Sequence, residues 1–280
     1  MIRERQDSSG LVFLDVSTAL CSAIFCLNGA QLLSWIPKGQ EEVLFVSSTS
    51  GYAPGKPVRG GIPVCWPWFG SKEGRSASHG YARNSLWTLE SSYEENGEEV
   101  IVLSLEAKSA EQPSARITFL LGQELQMILE TRAGSEPCVL TEALHTYFCV
   151  GDVTECSVNG LENVPFVDFA NGRQSQKVEE GRLAPHRAID RVYTFDSQEG
   201  TVCINDSIMK RAIEIRRESS ASIIVWNPWA EGSAMMSDLG GEEWKRFLCV
   251  EVANDSPSEI MLQSREVHRL RQVISVCSIN

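Results

Sequence analysis

The sequence predicts an all-β protein of antiparallel sheets, arranged as a sandwich or barrel. Three observations carry this reading. Short β-rich runs recur at close spacing along the 280 residues. Turn residues separate them, and a sustained 3.6-residue period is almost absent. Many short strands of this kind favour stacked or closed sheets over a helix-flanked parallel one. No Gly/Ser-rich linker, composition break or repeat divides the chain, so residues 1–280 are expected to form a single domain.

The elements follow in order. "LVFLDV", "CSAIFCL" and "EVLFVS" are the first strand candidates. "LWTLESSYEENGEEVIVLSLEA" reads as a hairpin, two strands joined at Asn96-Gly97, the dipeptide that best suits a tight turn with positive φ. "ARITFLLGQELQMILETR" repeats the form around Gly122-Gln123. "TEALHTYFCV", "TECSVNGL", "TVCIND", "RAIEIRR", "ASIIVWN", "RFLCVEVA" and "RQVISVC" complete the set, and "DLGGEEWKRF" holds one short helical turn.

Bulk properties narrow the function. With 42% hydrophobic and 22% charged residues, the chain can bury a sizeable core. Lys and Arg number 25 against 37 Asp and Glu, a net charge of −12. That balance speaks against nucleic acid or an anionic membrane as partner, and an anionic substrate needs a local basic cluster. The nine cysteines are odd in number, form no CxxC pair and sit largely in apolar runs. Free buried thiols in a reducing cytoplasm fit better than a disulfide framework. The charged start "MIRERQDSSG" is followed by no signal-peptide h-region, and no apolar run is long enough to span a membrane.

Four stretches could carry chemistry. In "RGGIPVCWPWFG" (59–70), Pro63 and Pro67 remove backbone donors, which rules out a regular central strand. Gly60 and Gly61 permit positive φ or close backbone approach. Trp66, Trp68 and Phe69 suit core packing and a sugar-stacking wall equally. In "SHGYARNSLWTL", His79 and Arg83 lie four apart. Arg59 and Arg83 could together form an anion clamp, since a guanidinium meets phosphate bidentately. Lys56, Lys72 and Arg75 lie close enough in sequence to supplement it. In "TEALHTYFCVGD", His145 stands among bulky neighbours, as a core histidine or as an acid–base group. In "RFLCVEVANDSP", Glu251 interrupts an apolar run. Strand alternation would set it on one face with Cys249 and Ala253, where burial raises its proton affinity toward that of a useful base. Asp190 beside Arg191 reads by default as a structural ion pair. Trp226 and Trp229 read as sugar platforms or core.

Other signatures are missing. There is no GxSxG, P-loop, GxGxxG or HExxH, and the four histidines lack metal-ligand spacing. Cys65 lies in an apolar setting that favours an inert thiol over a nucleophile.

Taken in order, "RGGIPVCWPWFG", "SHGYARNSLWTL", "LHTYF", "IDRVY" and "CVEVAND" resemble the hexose-6-phosphate mutarotases, or glucose-6-phosphate 1-epimerases. These form the phosphosugar branch of the aldose 1-epimerase family. "NGAQLLSWIPKGQEEVLFVS" is similar to the family's opening strands, so the likeness runs from about Asn28 to the last strand. It implies a galactose-mutarotase-like supersandwich of large antiparallel sheets. It further implies His145 as general acid, Glu251 as general base, Arg59 and Arg83 near the phosphate, and Asp190 and His79 on the substrate. Ser78 departs from the family, which commonly has a substrate-binding glutamine before the His-Gly pair. The implied reaction interconverts α and β anomers by ring opening, on a phosphorylated hexose, with no metal or other cofactor and in a monomer. A neutral-sugar epimerase and a non-catalytic carbohydrate-binding sandwich are the alternatives.

Overall fold

The computed structural model describes residues 1–74, 77–170 and 177–279. Its body is two eight-stranded antiparallel sheets, with a four-stranded sheet formed by the N-terminal 37 residues. One large sheet runs Cys156–Asn159, Gly200–Asp206, Arg211–Glu218, Val267–Ser278, Leu125–Arg132, Ser114–Leu121, Glu98–Leu105 and Thr88–Glu95. The other runs Lys177–Val178, Pro165–Asp168, Ile189–Thr194, Ser222–Asn227, Phe247–Asn254, Glu142–Leu144 and Val64–Cys65, with Tyr147–Cys149 also paired to Phe247–Asn254.

Local chemistry explains much of this. Asn96 and Gly97 adopt φ of +53° and +86°, the double left-handed geometry that joins two twisted strands in two residues. Alternation then sorts the side chains. On Phe247–Asn254, Leu248, Val250 and Val252 enter the main core, where they meet Ile215, Leu270 and Ile274 of the facing sheet. Cys249 and Ala253 point the other way, into two smaller apolar clusters. Both faces of this strand are therefore covered, and all eight of its residues are buried. Each large aliphatic side chain so placed contributes about 1.5–3 kcal/mol.

Some expected elements differ. "EVLFVS" forms no ladder, only isolated bridges from Leu44 to Phe148 and from Val46 to Gly60. Its amides go to three separate segments, Val43 to Trp35, Phe45 to Tyr147 and Ser47 to Arg59, so no single partner strand runs beside it. "TEALHTYFCV" splits at His145 and Thr146 into two three-residue strands. Asp190 lies inside the strand Ile189–Thr194. Ile2–Gln6, Pro165–Asp168 and a one-turn helix at Trp229–Ser233 were not expected. The turn in "DLGGEEWKRF" is the 3₁₀ segment Glu243–Arg246.

Candidate active site

The outward face of the second sheet, away from the main core, forms the floor of a cavity of about 710 Å³. Strand register builds that floor. Val192, Ile224 and Glu251 stand in one row across three strands. His145 lies between the pairs Leu144–Val252 and Tyr147–Cys249, so the same register brings it opposite Glu251. A second row, two residues along, carries Asp190, Trp226, Cys249 and Tyr147.

The segment 59–70 supplies one wall. Pro63 offers its carbonyl to the His145 amide at 3.1 Å, which supports the strand break on which the imidazole sits. Val64–Cys65 is the edge strand between the two prolines, as their missing donors require. Gly60 (φ +125°) passes so close to the neighbouring chain that an added Cβ would lie 2.3 Å from the Phe45 carbonyl oxygen. At Gly61 (φ +61°) the Leu32 carbonyl oxygen would be 2.2 Å away. The aromatics divide. Trp66 is fully buried in the main core and donates its indole N–H to Thr131 Oγ1 at 2.8 Å. Trp68 is buried and donates to the Ala77 carbonyl, whereas Phe69 lines the cavity. Trp226 also lines it, while Trp229 packs its ring against Trp244 at 4.5 Å.

All seven residues singled out for the site, Arg59, Ser78, His79, Arg83, His145, Asp190 and Glu251, line this one cavity. The lysines do not: Lys72 lies over the Trp68 ring at 5.8 Å, and Lys56 is absent from the lining. Arg75 falls outside the described residues. Asp190 is not paired with Arg191, because consecutive strand residues point to opposite faces. Arg191 instead pairs with Asp168 at 3.3 Å and Glu179 at 2.6 Å.

Among these groups, several buried polar atoms have no hydrogen-bond partner among the described residues: His145 Nδ1, Glu251 Oε2 and Arg83 Nε. Such atoms are costly when unpaired, and here they gather in one cavity. The nearest approach of the histidine and the glutamate is 3.4 Å, from Nδ1 to Oε1. They are therefore neighbours on one wall rather than groups on opposite sides of a ligand.

The electrostatics follow from burial. Burial raises the proton affinity of Glu251 well above the ordinary carboxylate range; Asp190 and Asp255 add to the rise and Arg83 opposes it. Burial holds His145 well below the usual imidazole range, aided by His79, Arg83 and Arg59. Both shifts disfavour charge, so the neutral pair, protonated Glu251 beside unprotonated His145, is favoured over the ion pair of the same proton count. Asp190 is pushed up to about 6 by burial and then by Asp168. His79 is pushed down to about 4, again mainly by burial. It adopts φ +57° and accepts the Gly70 amide at Nδ1, which leaves its Nε2 as the protonated, donating nitrogen. Burial lifts the Cys65 thiol to about 12, which leaves no thiolate at neutral pH.

The two arginines differ. Arg59 donates Nε and Nη2 to Asp238 at 3.1 and 3.2 Å, and Nη1 to the Tyr147 hydroxyl at 3.0 Å. Among the described residues Arg83 hydrogen-bonds only Ser78, through Nη2 to the carbonyl oxygen at 3.0 Å and to Oγ at 3.3 Å. Ser78 thus orients the more available guanidinium. Sequence reasoning passed over Asp255, although it ends the quoted Glu251 motif, and Tyr147, which two-residue spacing puts on the face of His145. Asp238 had no sequence signal.

An acid–base pair beside hydrogen-bond donors in a half-enclosed cavity can move protons between adjacent oxygens of a bound polyol. The comparisons point the same way. A model of the family "Aldose 1-epimerase" matches residues 14–275. A protein of Escherichia coli (strain K12) named "Putative glucose-6-phosphate 1-epimerase" is 34% identical, covering 97% of this chain and 92% of its own length. A protein of the same name from Salmonella typhimurium is 32% identical, covering 98% and 92%. A solved Salmonella typhimurium structure described as a "putative mutarotase" superposes with a TM-score of 0.90 at 31% identity, over 99% of this chain and 94% of that one. The two large antiparallel sheets are thus those of the galactose-mutarotase-like fold, and this chain belongs to the aldose 1-epimerase family, whose reaction is the interconversion of sugar anomers.

Proposed function

We propose that the chain is a hexose-6-phosphate 1-epimerase, with glucose 6-phosphate the leading substrate. The observation that carries this is the Arg83 Nε, without a hydrogen-bond partner among the described residues, in the cavity that also holds the unbonded His145 Nδ1 and Glu251 Oε2. A neutral-sugar enzyme needs no cation there. The relatives named as glucose-6-phosphate 1-epimerases support the same substrate class.

The chemistry needs two proton transfers at adjacent atoms. The C1 hydroxyl must lose its proton and the ring oxygen must gain one, and both oxygens are bonded to C1. Neighbouring groups suit that demand better than opposed ones. In the ion-paired form Glu251 accepts the hydroxyl proton while protonated His145 gives one to the ring oxygen. This leaves the neutral pair and an open-chain aldehyde. Rotation about C1–C2 presents the other face, and the transfers reverse on closure. Each group contributes roughly 10²–10⁴-fold. Asp190 and the Nε2 of His79 hold sugar hydroxyls, and Arg83 with Arg59 holds the phosphate. One chain supplies every group, which supports action as a monomer, with residues 1–280 as one catalytic unit. All nine cysteines are free, in keeping with a reducing cytoplasm.

A second reading, an aldose 1-epimerase for neutral sugars, is favoured by the contact of Arg59 with Asp238, which already neutralises that guanidinium. One assay separates the two. Pure α-glucose 6-phosphate is dissolved and its conversion followed with a β-specific dehydrogenase. Acceleration by micromolar protein, absent with free glucose, is the expected result; equal acceleration of glucose would favour the second reading. Arg83→Ala is expected to raise KM for the phosphosugar tenfold or more, because charge-assisted hydrogen bonds contribute about 1.5–3 kcal/mol each. An unchanged KM would remove the clamp.

A further inference from the structure

Tyr147 does not line the cavity and is only 2% exposed. Its ring nevertheless lies parallel to the His145 imidazole, with centroids 4.9 Å apart and planes inclined by 8°. Its hydroxyl accepts a hydrogen bond from Arg59 Nη1 at 3.0 Å. Behind it, the ring packs on Phe247 at 5.2 Å and against the edge of Trp226 at 6.0 Å. Arg59 in turn is clasped by Asp238. Asp238 stands next to Leu239, which is buried in the same apolar cluster as Tyr147. A single tyrosine therefore touches both the imidazole and one arginine of the cation pair.

We propose that Tyr147 is a positioning residue that sets the plane of the His145 imidazole and ties it to Arg59, so that seating an anionic group on Arg59 and aligning the proton donor are coupled. This rests on the reading of His145 as acid and Arg59 as part of the phosphate site. The two ends of the side chain do separable work. The ring fixes His145 in one plane and shields one of its faces from water. The hydroxyl holds Arg59 in register with the cavity, alongside the Asp238 carboxylate.

The coupling is local. The charged and titratable groups facing His145 are Glu251 on the adjacent strand, His79 and Arg83 from the loop that follows the 59–70 wall, Arg59 from that wall and Tyr147 on its own segment. Of these, Tyr147 alone stacks on the ring face and also contacts a second site residue.

Two variants divide the roles. Tyr147→Phe removes only the hydroxyl, and most of its loss should fall on KM for glucose 6-phosphate, about tenfold, with the smaller part on kcat. Tyr147→Leu removes the stacked ring, and kcat should carry most of its loss, tenfold or more. In parallel, NMR titration of the His145 ring nitrogens should move toward the ordinary imidazole range in Tyr147→Leu, as water reaches the exposed face, and less in Tyr147→Phe. The proposal is overturned if His145 titrates identically in the wild type and Tyr147→Leu, or if both variants divide their loss between kcat and KM in the same proportion. The ring titration needs no turnover. A wild-type protein inactive on both glucose 6-phosphate and glucose would defeat the functional reading, and the titration would still decide whether Tyr147 governs His145.

Discussion

Asp190→Asn should make the protein more stable above pH 6 and no more stable below pH 4. The carboxyl sits in the cavity floor, and burial followed by the nearby Asp168 lifts its pKa from 3.8 to about 6. A group whose folded pKa exceeds its unfolded value contributes fully below the unfolded value and loses that contribution as pH rises through the folded one. The penalty thus develops between pH 4 and 6. Two pKa units at about 1.36 kcal/mol each amount to about 3 kcal/mol at most, and solvent at the cavity mouth reduces this. The assay is urea unfolding of wild type and variant at pH 4, 5, 6 and 7.5. The stability difference should grow in favour of the variant across that interval and then level off. A difference that stays flat with pH, or grows in the opposite sense, would show that Asp190 is not a desolvated carboxylate in the folded protein. The same variant should bind sugar more weakly, which would make Asp190 a group kept for function at a cost in stability.

Three further outcomes are expected. Glu251→Gln and His145→Ala should each lower kcat by roughly 10²–10⁴-fold, with circular dichroism unchanged; the double variant should lose far less than the product, since the two groups act as one pair. The pH profile of kcat/KM, read by the anomer assay, should show a broad plateau. Because the neutral pair is the favoured tautomer of the reacting ion pair, the profile's acid limb is the protonation of His145, below the ordinary imidazole value, and its alkaline limb the ionisation of Glu251, above the ordinary carboxylate value. A single limb centred near 6.5 would contradict this. Gly60→Ala should destabilise by about 1–3 kcal/mol or more, visible in thermal unfolding, since its Cβ would meet the Phe45 carbonyl oxygen at 2.3 Å; unaltered Tm would contradict the close packing.

Much of the site was legible because its signals are local. Glu251 inside an apolar strand and paired glycines beside Arg59 break the patterns around them, and such breaks can be read one residue at a time. The hairpins were legible for the same reason, since Asn96-Gly97 specifies its own turn. "EVLFVS" misled because a β-rich composition says nothing about whether one continuous neighbour exists to pair with. The Asp190–Arg191 pairing failed because adjacency in sequence places strand residues on opposite faces.

What the chain alone specified was therefore the residue types, the alternation that sets Glu251 on one face with Cys249 and Ala253, and the turns that close the hairpins. The distances between segments came from the packing of the sheets. Register across Phe247–Asn254 put His145 within 3.4 Å of Glu251, although 106 positions separate them in "LHTYF" and "CVEVAND". The clasp of Arg59 by Asp238, across 179 positions, arose the same way. No local pattern encodes such contacts, because they depend on which strand lies beside which, and that is fixed by burying the core as a whole.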